Sequence, residues 1–170
     1  MKKTPFVNLE QIQEIVKTYP TPFHIYDEKA IRDNAIRLHE AFSWNKGFKE
    51  YFAVKATPNP FILKLLQSCG CGVDCSSMTE LMLANALDFG EGEIMFSSNV
   101  TPAEEYVYAR EIGATINLDD FTHIDFLERN QISQLDDIPC LPHPLARWRE
   151  VDRHWDLSVF MQLPWAAEKG

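Results

Sequence analysis

The chain has 170 residues, enough for one ordinary domain, and carries 25 acidic against 16 basic residues for a net charge of −9. Without a basic stripe, that acidity argues against a nucleic-acid partner, whose phosphates require clustered lysine and arginine. No apolar run approaches about 18 residues, so no spanning helix is expected and the membrane is not a partner.

In chain order, Leu9 to Lys17 and Glu28 to Phe42 read as amphipathic helices around a short strand at Phe23 to Tyr26. From Lys49 to Val54 the run KEYFAV is aromatic and β-branched with little charge, as in a strand buried on both faces of a parallel sheet. Pro58 and Pro60 end it in a turn, and FILKLLQSCG follows with helical spacing and Gly70 as its stop. Further strand tips fall near Asp74, near Ser98 and Asn99 after EIMF, and near Asp119 after ATINL. Helices lie between them at Thr79 to Leu87, at Pro102 to Ile112 with Thr101 as N-cap, and at Phe121 to Arg129 with Asp120 as cap. Their intervals fit successive βα units with short loops.

Lys55 closes the first of these strands, at the end where β/α folds gather their loops into a pocket. Among Ala53, Val54 and Ala56 it is expected to be partly desolvated, which favours the neutral amine that attacks a carbonyl. A lysine merely marking the exit of the strand into solvent is the competing account. Asp74, at the second tip, either orients that lysine by hydrogen bonding or caps the helix that begins near Ser76. Ser77 and Glu80 have the spacing of a capping box. Ser98 and Asn99 either line the pocket or serve only to start the next helix.

Ala53 to Ala56, Asn59 with Pro60, and then Gly72, Asp74, Ser77, Glu80 and Leu81 occur in the order of an Ala-Val-Lys-Ala strand end, an Asn-Pro turn and a Gly-x-Asp-x-x-Ser strand end leading to Glu-Leu. In this the chain resembles the fold-type III pyridoxal-phosphate decarboxylases, most closely diaminopimelate decarboxylase; TPFHIYDEKAIRDNA resembles that family's opening. The similarity runs from about Thr21 to about Asp137. It implies an α/β fold, a partial (β/α)8 barrel of the alanine racemase-like type, with pyridoxal 5'-phosphate covalent on Lys55 and Asp74 beside it. It also implies a homodimer and a small amino-acid substrate, meso-diaminopimelate being converted to L-lysine and carbon dioxide. Arginine, ornithine and carboxynorspermidine are alternative substrate classes.

A complete barrel needs roughly 250 residues. Only about four βα units can be read here, so the division expected is a helical leader at 1–46, a partial barrel at 47–139 and an atypical tail at 140–170. The tail holds three of the four tryptophans, has balanced charge, and carries Pro142, Pro144 and Pro164 where a fifth strand is due. It reads as out of frame or foreign to the family, or else as an extension with a helix near Ala146 to Asp156. No glycine lies between Gly113 and Gly170, so no glycine-rich phosphate cradle is visible. The expectation is a chain of little or no activity by itself, or a non-catalytic barrel fragment or partner subunit. Cys69, Cys71 and Cys75 lack zinc-ribbon spacing, and no metal is expected. Four cysteines without a leader sequence point to reduced thiols in the cytoplasm. Asp119 with Asp120 and Asp136 with Asp137 read as loop and helix-start charges.

Overall fold

Local chain chemistry sets each element of the fold, which we describe from a computed structural model covering residues 4–118 and 122–130. The expectations for Asp119, Asp120, Phe121, Asp136, Asp137 and the tail at 140–170 lie outside the described residues.

Helix α1 (Leu9–Thr18) begins at a reciprocal cap in which Asn8 and Gln11 each accept the other's backbone N–H at 2.8 Å. Helix α2 (Glu28–Ala41) starts where the Asp27 carboxylate accepts from the Ala30 N–H at 3.0 Å. Between them, the expected strand at Phe23 to Tyr26 is not formed. An extended segment becomes a strand only with a ladder partner, and every ladder among the described residues joins the four strands that follow.

Strand β1 (Tyr51–Ala53) leads through a 3-10 turn (Val54–Ala56) to helix α3 (Pro60–Ser68). Asn59 caps α3 by accepting from the Phe61 and Ile62 N–H groups, and Pro60 takes the first helical position, where no donor is needed. Gly70 ends the helix with φ of 88°, the left-handed conformation expected of a terminating glycine. Strand β2 (Gly72–Cys75) and helix α4 (Met78–Ala86) follow, then β3 (Ile94–Ser98) and α5 (Ala103–Glu111), and β4 (Thr115–Leu118) and α6 (Thr122–Arg129). Pro102, not Thr101, is the cap of α5 and makes no side-chain cap bond.

The four strands are parallel and adjacent in chain order, β1-β2-β3-β4. A doubly wound sheet reverses its strand order at a switch point, whereas a barrel segment does not, so the order agrees with the expected partial barrel. Alternation along the strands sends Val73 and Cys75, Ile94 and Phe96, and Ile116 to one face. There they pack against Leu63 of α3, Leu81 and Ala84 of α4, Tyr106 and Ala109 of α5 and Leu127 of α6 in one buried cluster. The Phe96 and Tyr106 rings meet edge to face, with centroids 5.9 Å apart. Each large side chain so buried stabilises the fold by about 1.5–3 kcal/mol, which makes the helix layer the fixed side of the molecule. A smaller cluster of Ala35, Leu66 and Cys71 joins α2 to this layer. The opposite face of the sheet carries the polar side chains of the site.

Candidate functional site

Three strand ends build the site. Gly72 opens β2 opposite Tyr51, and a Cβ there would lie 2.6 Å from the Glu93 carbonyl oxygen and 2.7 Å from the Tyr51 ring. The tyrosine ring is held over that gap by its hydroxyl, which donates to the Gly92 carbonyl at 2.9 Å. Glycine is therefore required for β1 and β2 to approach, and the approach sets Ala53 level with Asp74, two residues further along.

Lys55 lies in the 3-10 turn rather than in the strand, and it is exposed while its neighbour Val54 is fully buried. This corrects the expected desolvation: the strand stops at Ala53, and the turn puts the apolar residue into the core and the amine into solvent. The turn is pinned by the Thr57 N–H donating to the Val54 carbonyl at 3.1 Å.

Asp74 is half-buried on the face away from the helices. Burial raises its carboxyl above the ordinary aspartate range; the hydrogen bond from Ser97 and the charge of Lys55 act against that rise, and Glu80 adds to it. Its Oδ1 is buried and has no hydrogen-bond partner. The alternative role as a helix cap is not the one observed, because Ser77 caps α4 by accepting from the Glu80 N–H. Glu80 in turn accepts from the Ser76 N–H at 2.9 Å and from both serine hydroxyls, so the loop after Asp74 is fixed from two sides.

Ser98 is 7% exposed and shares the row of Ile94 and Phe96, which face the helices. Asn99 is exposed beyond the end of the strand. Ser97, one residue earlier, is on the same face of the sheet as Asp74 and acts to hold its carboxyl down. A strand period of two decides between the serines, and the apolar Ile94 and Phe96 already mark Ser98 as belonging with them. Asn117, level with Ser97 on β4, donates from Nδ2 to the Ser97 hydroxyl at 3.4 Å.

An exposed amine and a carboxylate with an unpartnered buried oxygen, at the ends of paired strands, are a donor set suited to holding an aldehyde through nitrogen. Among the described residues no group of three or more His, Cys, Asp or Glu side chains is arranged to hold a metal ion. Nor is any helix among them long and apolar enough to cross a membrane.

Fold and site together define a parallel α/β segment that presents a lysine and an aspartate at successive strand ends. The family model described as pyridoxal-dependent decarboxylase, pyridoxal binding domain, matches residues 28–136, and the chain belongs to that family, whose cofactor is pyridoxal phosphate. It is 49% identical over 109 residues to Protein TabA of Pseudomonas amygdali pv. tabaci, covering 64% of this chain and 26% of that protein. To the diaminopimelate decarboxylase of Methanothermobacter thermautotrophicus it is 31% identical over 126 residues, 74% of this chain and 28% of that one. The crystal structure of diaminopimelate decarboxylase from Methanocaldococcus jannaschii superposes with a TM-score of 0.64 at 29% identity, over 68% of this chain and 28% of that one. The lysine decarboxylase of Selenomonas ruminantium, 22% identical with a TM-score of 0.63 over 75% of this chain and 33% of that one, shows the fold alone. The chain thus spans about a quarter to a third of the length of these relatives.

Proposed function

We propose that this chain holds pyridoxal phosphate covalently at Lys55 and contributes that site to the decarboxylation of a small amino acid, with meso-diaminopimelate as substrate and L-lysine and carbon dioxide as products. The observation that carries the reading is an exposed Lys55 two residues beyond Ala53, which pairs with Asp74, together with an Asp74 carboxylate whose buried Oδ1 has no partner. When bound, the cofactor supplies a conjugated ring that accepts the electron pair released as carbon dioxide departs. Lys55 binds it through Nζ, and exposure of that amine leaves it open to displacement by the amine of a substrate. The negative charge of Asp74 acts with the charge at Lys55 and favours a proton on a nitrogen there. The buried core behind Val54 fixes the turn on which Lys55 stands, so its reach is set by the backbone.

The diaminopimelate substrate is supported by relatives of that name at 31% identity in sequence and 29% in structure. The 49% identity to Protein TabA supports a second reading, in which the amino acid acted on differs from diaminopimelate. Carbon dioxide release from meso-diaminopimelate, lysine, arginine, ornithine and carboxynorspermidine, measured on the chain saturated with pyridoxal phosphate, separates the two. Release from diaminopimelate alone supports the first reading, and release only from another amino acid refutes it. Cofactor loading at Lys55 without release from any of them assigns cofactor holding alone to this chain.

A further inference from the structure

The loop that joins α3 to β2 carries a chemistry separate from that of Lys55. Cys69 caps α3, Gly70 follows with φ of 88°, and Cys71 is the last residue before β2. The Gly70 N–H donates to the Gln67 carbonyl at 2.9 Å and the Cys71 N–H to the Leu66 carbonyl at 3.1 Å, so the chain folds back between the two cysteines. Residues two apart span at most about 7 Å even when extended, and a left-handed glycine between them shortens that toward the Cα separation of about 4.4–6.8 Å that a disulfide accepts. Both cysteines belong to the cluster built on Ala35 and Leu66, Cys71 at 2% exposure and Cys69 partly exposed at its edge.

Helix α2 gives each sulfur a different partner. Arg32 Nη1 donates to Cys69 Sγ at 3.8 Å and to Ser68 Oγ at 3.1 Å, whereas His39 Nε2 stands 3.7 Å from Cys71 Sγ. The His39 ring is held in place edge to face against Phe48, with centroids 5.8 Å apart. A guanidinium N–H bonds a sulfur anion more strongly than a thiol, and an imidazole nitrogen can take a thiol proton. We propose that Cys69 and Cys71 are a dithiol that closes to a disulfide on reaction with a low-molecular-weight disulfide of the glutathione class, Cys69 attacking first beside Arg32 and Cys71 closing the bond with His39 as proton acceptor. The order follows from exposure, and burial also raises the Cys71 thiol, which keeps it from reacting first.

In the first step the Cys69 thiolate forms a bond to one sulfur of the reagent; the reagent's own S–S bond breaks, and its other half leaves as a thiolate that takes a proton from water. In the second, Cys71 gives its proton to His39 Nε2 and attacks Cys69 Sγ, and the remaining half of the reagent leaves as a thiolate that His39 protonates. The chain loses two hydrogens and two electrons, and the reagent gains both as two thiols.

The test exposes the fully reduced 170-residue chain to oxidised glutathione and reads intact mass and peptide mass maps over time. The expected product is lighter by two hydrogens, with Cys69 and Cys71 joined within one peptide. Cys71→Ser is expected to stop at a glutathione adduct on Cys69, and Arg32→Gln in that background to form the adduct about fivefold more slowly, as for loss of one hydrogen bond. His39→Gln, with both cysteines present, should leave adduct formation unchanged and let the adduct accumulate, a division between steps that a merely structural role would not produce. Near-ultraviolet circular dichroism of each reduced variant confirms a native fold, and the native chain decides the main point without any variant. A native chain that keeps glutathione on Cys69 without closing, that joins Cys69 or Cys71 to Cys75 or Cys140 instead, or that does not react overturns the proposal, and so does an adduct in His39→Gln that closes at the native rate. Pyridoxal phosphate takes no part in this assay, so its outcome is independent of the role proposed for Lys55.

Discussion

Asp74→Asn is expected to make the fold more stable while removing the charge its chemistry needs. The ionised carboxylate is half-buried and its Oδ1 has no partner, a burden of about 1–3 kcal/mol for a buried polar group left unsatisfied. Attraction to the exposed Lys55 returns only about 0.2–1 kcal/mol, as for other solvent-screened pairs. An amide keeps a buried polar atom where Oδ1 stands, so Asn removes only the part of that burden that belongs to the charge, and the net gain is then about 1 kcal/mol at most, or roughly 3 °C in Tm for a chain of this size. The sign of its pH dependence follows from the direction of the shift. Because burial raises the folded-state pKa, the native state binds the proton more readily than the unfolded state, so ionised Asp74 costs stability above that pKa and the cost fades as pH falls through it. Urea unfolding of both proteins at several pH values between about 4 and 8 measures the gap, which should be widest at the alkaline end and close toward the acid end. A variant less stable than the parent at neutral pH, or a gap independent of pH, would refute the reasoning.

Gly72→Ala is expected to destabilise the chain by about 1–3 kcal/mol, because its Cβ meets the Glu93 backbone at 2.6 Å as well as the Tyr51 ring. Adding Tyr51→Ala should therefore relieve only part of the loss, and a loss below about 0.5 kcal/mol in urea unfolding would contradict the close approach of β1 and β2. Burial pushes the Cys75 thiol up to about 12 and also raises Cys71, whereas Cys69 is partly exposed. In a timed iodoacetamide reaction at mildly alkaline pH, read by peptide mass mapping, Cys69 should label well before Cys71 and Cys75, with Cys75 protected until denaturant is added. Equal rates at Cys69 and Cys75 would mean that the helix-facing side of β2 is open.

The fold was legible where pattern and punctuation agree. Glu28 begins α2 after a capping Asp27, and Gly70 takes the left-handed backbone expected after its helix. Phe23 to Tyr26 reads as a strand but forms none, because a strand depends on a partner that local sequence does not name. Lys55 and Asp74 were readable as successive strand ends, but the 3-10 turn that turns Val54 inward and exposes Lys55 leaves no mark in composition. Ser97 could have been found. Counting by twos from Ile94 and Phe96 sends Ser98 to the helices and Ser97 to the site, whereas attention to the tip of the strand favours the last serine. Asn59 likewise announces itself as a cap by standing directly before a proline and an apolar helix.

The central claim is that Lys55, and not another lysine, carries the cofactor. Lys17, Lys29, Lys46 and Lys64 are also exposed, so exposure alone would spread a pyridoxal adduct among them. The most direct measurement incubates the native chain with pyridoxal phosphate, reduces it with borohydride and maps the modified lysine by peptide mass. A stoichiometric adduct on Lys55, lost in Lys55→Ala and weakened in Asp74→Asn, is the predicted result; an adduct distributed over the exposed lysines, or one that survives Lys55→Ala unchanged, would contradict the account.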